Sequence, residues 1–345
     1  MTPTTSLRLA NISELRLFFA LSVLVAHTIQ LAGFTDHDIW RHILSSEVAV
    51  QGFFILSGFL VLGSYVRHPR QGDFYLRRLL RIYPGYAVAV LVFLGLGLVE
   101  AASHAQWPPA GQLLRYLLAN LLLMNFLQPG LDGVFSGNAH HEINGALWTI
   151  KLEVMFYALV PLLHHIGQRW SFRGLGAGLI ACGLLWRPAL GLLEAAVGHS
   201  LHPSLAYQLP GQLHFFGLGV LLFDVSRQRT QARGNLLVLV AAAAGALVLG
   251  DLRLAAQMLL LSGFIFAITR LPQWRTPFER HDLSYGVYLC HFPIIQLLIA
   301  CGLAGQGIGV FLCTTLLLAS LYALASWRWI EAPALQLATA RPPTR

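Results

Sequence analysis

Long apolar runs separated by short polar segments dominate the chain. They fall at 14–33, 47–65, 82–101, 112–127, 145–163, 174–197, 209–225, 235–250, 253–269, 283–303 and 307–328. Most approach the roughly 20 residues with which a helix crosses a 30 Å hydrocarbon core. In lipid every backbone group must be satisfied internally, and uninterrupted apolar runs do that as helices. The pattern predicts an all-α polytopic membrane bundle.

Composition sharpens that picture. The 345 residues are 56% hydrophobic and only 11% charged, where a soluble domain carries about 25% charged residues. The formal net charge is +8, and a basic balance of that kind also suits nucleic acid, so placement decides. The basic residues, almost all arginine, gather in the segments 1–16, 66–81, 164–173, 226–234, 270–282 and 328–345. That clustering between apolar runs is the positive-inside pattern and excludes nucleic acid as the partner. The six segments share one side only if one apolar run does not span. The run 112–127 is short and carries Arg115 near its start, so it is expected to be re-entrant. About ten spans remain, with both termini cytoplasmic, Lys151 and Arg187 lying within them.

Several alternatives fall away. The first run is followed by Asp36, His37 and Asp38 instead of a small-residue cleavage site, so it reads as a retained span and not a signal peptide. Cys182, Cys290, Cys301 and Cys313 sit inside apolar runs without a CxxC pair and are expected to pack. His140, His141 and Glu142 are consecutive and lack helical ligand spacing, so no metal site is expected.

Chemistry enters with the ionisable residues that the apolar runs carry. Arg16 opens the first run, and His27 follows it about 16 Å deeper along the helix axis. An ionisable group at that depth is costly and marks a functional site by default. The run containing Glu153 sets Trp148, Glu153, Tyr157 and Pro161 near one helix face, with the carboxyl about 12 Å from the outer end. His291, in HDLSYGVYLCHFP, lies about 12 Å from the cytoplasmic end of its run. Three helices thus bring His27, Glu153 and His291 to similar depth, as either a proton-coupled transporter of a glycan or lipid or a buried catalytic site would require. The most basic segment, RHPRQGDFYLRRLLRIYPGY, sets Arg78 and Arg81 one turn apart beside Arg77. Guanidinium forks suit phosphate oxygens, so an anionic phosphorylated ligand or a lipid headgroup is expected on the cytoplasmic side. Gly52, Gly58 and Gly63 read as close helix packing, with Ser57 among them as an interhelical hydrogen bond or a chemical group. The outer loop HSLHPSLAYQLPG offers His199, His202 and Tyr207 to a substrate or to the interface.

These motifs, taken in order, carry a resemblance. The Arg16-x10-His27 spacing, FFILSGFL at 53–60, RRLLRIYP at 77–84, LWTIKLEVMFYALVP at 147–161 and LSYGVYLCHFP at 283–293 resemble successive signatures of the acyltransferase 3 family of bacterial integral-membrane O-acyltransferases. Ser13-Glu14 and Gln51 stand where members often carry Asp-Gly and Asp. The resemblance covers about Arg8 to Pro333 and implies one membrane domain over 1–345, with no esterase-like domain after it. It implies transfer of an acyl group, most often acetyl, from cytoplasmic acetyl-CoA to a hydroxyl of a glycan or glycolipid, such as exopolysaccharide or lipopolysaccharide, at the outer face of the inner membrane. In that reading His27 is the base or transient acyl acceptor, and Glu153 orients His27 or binds sugar. His291 is a second base, and Arg16, Arg77, Arg78, Arg81 and Ser57 hold the donor. Trp148 and Tyr157 meet the acceptor.

Overall fold

The computed structural model describes residues 10–201, 203–227, 232–274, 276 and 281–339. Arg8, His202, Arg229, Arg275, Arg280, Arg341 and Arg345, which the sequence reading placed in basic segments or the outer loop, lie outside the described residues. Helix accounts for 81% of the structure, and no strand occurs among the described residues. Eight helices are long and apolar enough to cross a membrane. They include α1 (Ile12–Leu31), α3 (Ser46–Arg67), α4 (Gln71–Ser103), α6 (Trp148–Arg169), α7 (Phe172–Val197), α8 (Leu209–Arg227), α10 (Leu252–Arg270) and α12 (Ile308–Ser326). Two more apolar helices, α9 (Ala232–Val248) and α11 (Ser284–Ala300), have 17 residues each. α2 (Asp38–Ile43) and α13 (Ala332–Thr339) are short. The protein is a multi-pass membrane bundle.

The run at 112–127 forms α5 (Ala110–Leu121), a helix of 12 residues. At 1.5 Å per residue it is about 18 Å long, well short of a hydrocarbon core. Leu123, at φ 63°, ends it in the left-handed region, and a 3-10 turn at Asn125–Leu127 follows. One face, with Tyr116, Ala119 and Asn120, is buried. Asn120 Nδ2 donates to the carbonyls of Tyr116 and Gln128 at 2.9 and 3.0 Å, and its own carbonyl accepts from Tyr86 Oη at 2.7 Å. These bonds satisfy the helix end that lipid would leave bare.

Two expectations change. The basic segment at 66–81 is helical from Gln71 onward as part of a 33-residue α4 that carries Pro84 inside it. Its Arg and Leu residues are strong helix formers, and Arg77, Arg78 and Arg81 share one side. Of the cysteines only Cys290 packs inward, while Cys182, Cys301 and Cys313 are exposed. On helices wet by lipid, an outward thiol behaves as one more small apolar group.

The chain divides into two compact units. The first comprises the described part of Met1–Leu15 with Val50–Phe74 and Leu152–Trp274. Its helices approach through glycines. A Cβ on Gly219 of α8 would lie 2.9 Å from the Gly58 Cα and 2.8 Å from the Phe59 nitrogen of α3. Small residues substitute for the hydrophobic drive that lipid removes, letting backbones meet. Phe156 stacks on Phe216 at 4.3 Å, and Asn235 Nδ2 donates to Asp224 Oδ2 at 2.9 Å.

The second unit, Arg16–Ala49, Tyr75–Lys151 and Arg275–Arg345, is built around α11. Every residue of that helix from Ser284 to Gln296 is buried. An all-round apolar helix is the core element of a membrane bundle. Gly286 accepts Ala323 of α12 where a Cβ would lie 2.7 Å from the Ala323 Cα.

Candidate active site

Within the second unit, α1 and the chain around α11 meet at two levels. Each carries an ionic group at one end and a histidine deeper in. Arg16 and His27 are eleven residues apart on α1, and Asp282 and His291 nine apart on and before α11. Those separations correspond to about 16 and 13 Å along a helix, so both levels match when the elements run side by side in the same direction.

The first level centres on Asp282. Its Oδ2 accepts from Arg16 Nη1 at 2.7 Å and from Arg81 Nη2, while Oδ1 accepts from the Ser284 hydroxyl. Arg81 also reaches Glu331 Oε2 at 3.8 Å and stands 5.9 Å from the rings of Tyr285 and Trp327. Tyr285 Oη donates to the Ile82 carbonyl at 2.8 Å, fastening α11 to α4 one residue beyond Arg81. Glu331 ends a π-helical turn, Trp327–Glu331, and its Oε1 accepts from Ser326 Oγ at 2.8 Å. Residues five apart face one another only in a π turn, and such turns concentrate at functional sites.

Burial works against the Asp282 charge, but the Arg16 and Arg81 guanidiniums and the Ser284 hydroxyl outweigh it and lower the pKa from 3.8 to about 2. A depressed carboxylate stabilises the fold fully above its unfolded pKa and loses that contribution as pH falls through its folded one. The melting-temperature difference between the native chain and Asp282→Asn should therefore stay constant from about pH 8 to about pH 5 and narrow only below about pH 4. Thermal unfolding in nanodiscs checks this, and a difference that already closes near pH 6 would show that Asp282 is not held by the two arginines.

The second level is a pair of imidazoles. His27 Nδ1 lies 2.9 Å from His291 Nε2, with the rings 5.1 Å apart and 21° from parallel. His291 Nδ1 lies 2.8 Å from the Tyr288 carbonyl. A carbonyl only accepts, so His291 Nδ1 carries its hydrogen there, and in neutral rings Nε2 must accept from His27 Nδ1–H. That leaves the lone pair of His27 on Nε2. His291 is fully buried, whereas His27 is half-buried, and the Phe292 edge meets the His27 ring at 5.8 Å. The arrangement fixes the tautomer and orientation of the His27 ring through a buried neighbour, a geometry that suits proton transfer.

The remaining candidates divide between the units. Arg77 and Arg78 belong with Arg81 on α4, and Arg77 Nη2 is shielded from solvent without a hydrogen bond. Trp148 opens α6 in the second unit. Ser57, Glu153 and Tyr157 belong to the first, where Ser57 Oγ is buried without a hydrogen bond and Tyr157 Oη donates to Glu153 Oε1 one turn earlier. Sequence reasoning passed over Asp282 and Glu331. Asp282 lies one residue before the LSYGVYLCHFP motif, and the rule that a carboxylate next to an apolar run needs a cation would have found it. No group of three or more His, Cys, Asp or Glu suited to a metal occurs among the described residues.

Comparison with known proteins agrees with the geometry. The chain is 28% identical to nodulation protein 10 of Rhizobium leguminosarum bv. viciae over 95% of its own length and 94% of the relative's. It is 25% identical to an O-acetyl transferase of Shigella phage Sf6, covering 82% of this chain and 84% of that one. It is likewise 25% identical to acyltransferase MdmB of Streptomyces mycarofaciens, covering 85% and 81%. No solved structure matches the chain. The acyltransferase 3 family model, described as an acyltransferase domain, matches residues 10–327. With ionic and imidazole levels on one pair of chain segments and that match across nearly the whole length, the chain belongs to the acyltransferase 3 family and is a membrane-bound O-acyltransferase.

Proposed function

We propose that the protein takes an acetyl group from cytoplasmic acetyl-CoA and delivers it to a hydroxyl of a glycan or glycolipid on the outer side of a bacterial inner membrane. The two-level arrangement of α1 and α11 carries this reading. The arginine level offers what CoA phosphates need, and the histidine level lies about one phosphopantetheine arm deeper. Arg16 and Arg81 are preorganised by Asp282, and the shielded Arg77 Nη2 is a donor awaiting an anion. Arg78 completes the cluster, and Ser57 is proposed to contact the donor. Glu153, Tyr157 and Trp148 are proposed to meet acceptor hydroxyls. The arginine-rich segments support a topology with both termini in the cytoplasm.

In the proposed reaction the acceptor hydroxyl loses its proton to His27 Nε2 as its oxygen attacks the thioester carbonyl. The C–O bond of the ester forms and the C–S bond breaks. The CoA thiolate leaves with the pair and takes the proton back from His27. The names of the relatives from phage Sf6 and Streptomyces support acyl transfer. Purified protein in nanodiscs, given acetyl-CoA and candidate glycans, should release CoA. Arg78→Ala/Arg81→Ala should raise the acetyl-CoA KM by about a hundredfold, two charge-assisted contacts being lost. Folded protein that neither binds nor consumes acetyl-CoA or another short acyl-CoA would remove the donor assignment.

A further inference from the structure

The loop that joins α5 to α6 is not slack. Its residues between Pro129 and Glu142, among them Asp132, Ser136, His140 and Glu142, line an open cavity of about 480 Å³. That volume falls within the range of about 300–1,000 Å³ typical of small-molecule sites. Each end and corner of the loop is tied. Glu100 Oε2 accepts from the Phe135 amide at 2.8 Å, which holds that residue at φ 52°. Gln112 Nε2 donates to Asp132 Oδ2 at 2.6 Å, and the Ser136 hydroxyl donates to Gln106 Oε1 at 2.8 Å. Gly130 pairs with Glu142 as an antiparallel bridge. A structureless crossing needs none of these bonds, whereas a shaped loop on a rigid scaffold is where binding residues concentrate.

Bonds from the loop run on to α11. Gln296 Nε2 donates to the carbonyls of His140 and Glu142 at 2.7 and 2.9 Å, and Asn138 Nδ2 donates back to the Gln296 side chain at 2.9 Å. One turn lower, Phe292 covers Gly145 so closely that a Cβ would lie 2.7 Å from its ring. Asn144 Nδ2 donates to the Leu289 carbonyl at 2.8 Å, and Tyr288 Oη pairs with Thr149 Oγ1 at 2.6 Å. The segment 138–149 is thereby laid along the stretch of α11 that contains His291.

The polar groups inside suit a particular ligand chemistry. Glu142 Oε2 is shielded and makes no hydrogen bond, and His140 Nδ1 lies 3.9 Å from the Glu142 carboxylate. Asp132 gives one oxygen to Gln112 and keeps the other. Carboxylate oxygens and an imidazole bind paired hydroxyls, and two acidic groups repel an anionic sugar.

We propose that the cavity of residues 129–142 is the acceptor subsite, holding a neutral, hydroxyl-rich sugar ring on Glu142, Asp132 and His140 and presenting one hydroxyl to His27. This rests on the reading of the acceptor as a saccharide, and the test separates the two. The probes are methyl glycosides of a neutral hexose, a 6-deoxyhexose, an N-acetylhexosamine and a uronic acid, used with purified protein and radiolabelled acetyl-CoA. At least one neutral glycoside should accept label, and Glu142→Gln, nearly isosteric, should raise that glycoside's KM about tenfold or more while the acetyl-CoA KM moves less than about twofold. In intact cells the Ser136→Cys variant should react with an impermeant maleimide, measured against the unsubstituted chain, and the accepted glycoside should slow that reaction where the uronic acid does not. A Glu142→Gln enzyme with the native glycoside KM overturns the proposal. Turnover of acetyl-CoA with no glycoside accepted and no protection of Ser136→Cys overturns the saccharide site while leaving the donor reading intact. No acetyl-CoA binding at all removes the donor reading on which the site depends.

Discussion

Replacing His27 by alanine is expected to abolish acyl transfer while acetyl-CoA still binds. General-base help from a positioned imidazole accounts for about 10²–10⁴ in rate, so residual turnover should fall at least a hundredfold. His27 has its Nδ1 committed to His291, and Nε2 is the nitrogen left to meet a substrate. His291 acts through its neighbour, so His291→Ala should cost less, about ten- to a hundredfold in kcat with little change in the acetyl-CoA KM. His291→Gln should recover part of that loss, because its amide oxygen still accepts from His27 Nδ1–H. A lost structural residue would lower melting temperature and spare this pattern of rescue. If His27→Ala keeps a tenth of the native rate, the base assignment fails. If His291→Ala alone is fully active, the hydrogen-bonded relay from Tyr288 through His291 to His27 is not used.

Arg81→Ala carries the second large effect, and it acts on both binding and stability. Arg81 and Asp282 are only 13% and 16% exposed. Breaking a buried pair by removing one partner costs 3–5 kcal/mol, and Arg16 remains to hold Asp282, so a loss of about 1–3 kcal/mol is reasonable after allowance for solvent. The acetyl-CoA KM should rise about tenfold or more as one charge-assisted phosphate contact disappears. The double variant Arg81→Ala/Asp282→Asn separates the two roles. It should regain part of the melting temperature, since Asp282 no longer carries a stranded charge although Glu331 still loses Arg81, while its acetyl-CoA KM stays high. A double variant that recovers donor affinity along with stability would mean that Arg81 only braces Asp282.

Much of this could be read from the chain before any coordinates. The apolar runs at 14–33 and 283–303 became α1 at Ile12–Leu31 and α11 at Ser284–Ala300, differing at the ends by three residues or fewer. The short run at 112–127 was legible as something other than a span because it was too brief and carried Arg115, and α5 is a 12-residue helix. Depth along a helix was legible too, since 1.5 Å per residue needs only counting. Partnerships were not. Arg16 and Asp282 are 266 positions apart, and His27 and His291 are 264 apart. Periodicity reports which face of a helix is apolar, but it says nothing of which other helix that face meets. His27 and His291 were therefore both visible as anomalies while their pairing was not. The loop at 129–142 stayed opaque for a related reason: its shape depends on bonds from α4, α5 and α11, none of which leaves a local signal.

The π turn at Trp327–Glu331 makes this protein forgiving of chain length at one point. A π turn holds one residue more than an α turn, so it is an insertion absorbed without a break in the helix. Removing a single residue between Ser326 and Glu331 would restore α geometry and leave the two four apart, a spacing at which side chains still face one another. The same deletion in a regular turn of α12 would rotate everything beyond it by about 100° and carry Glu331 away from Arg81.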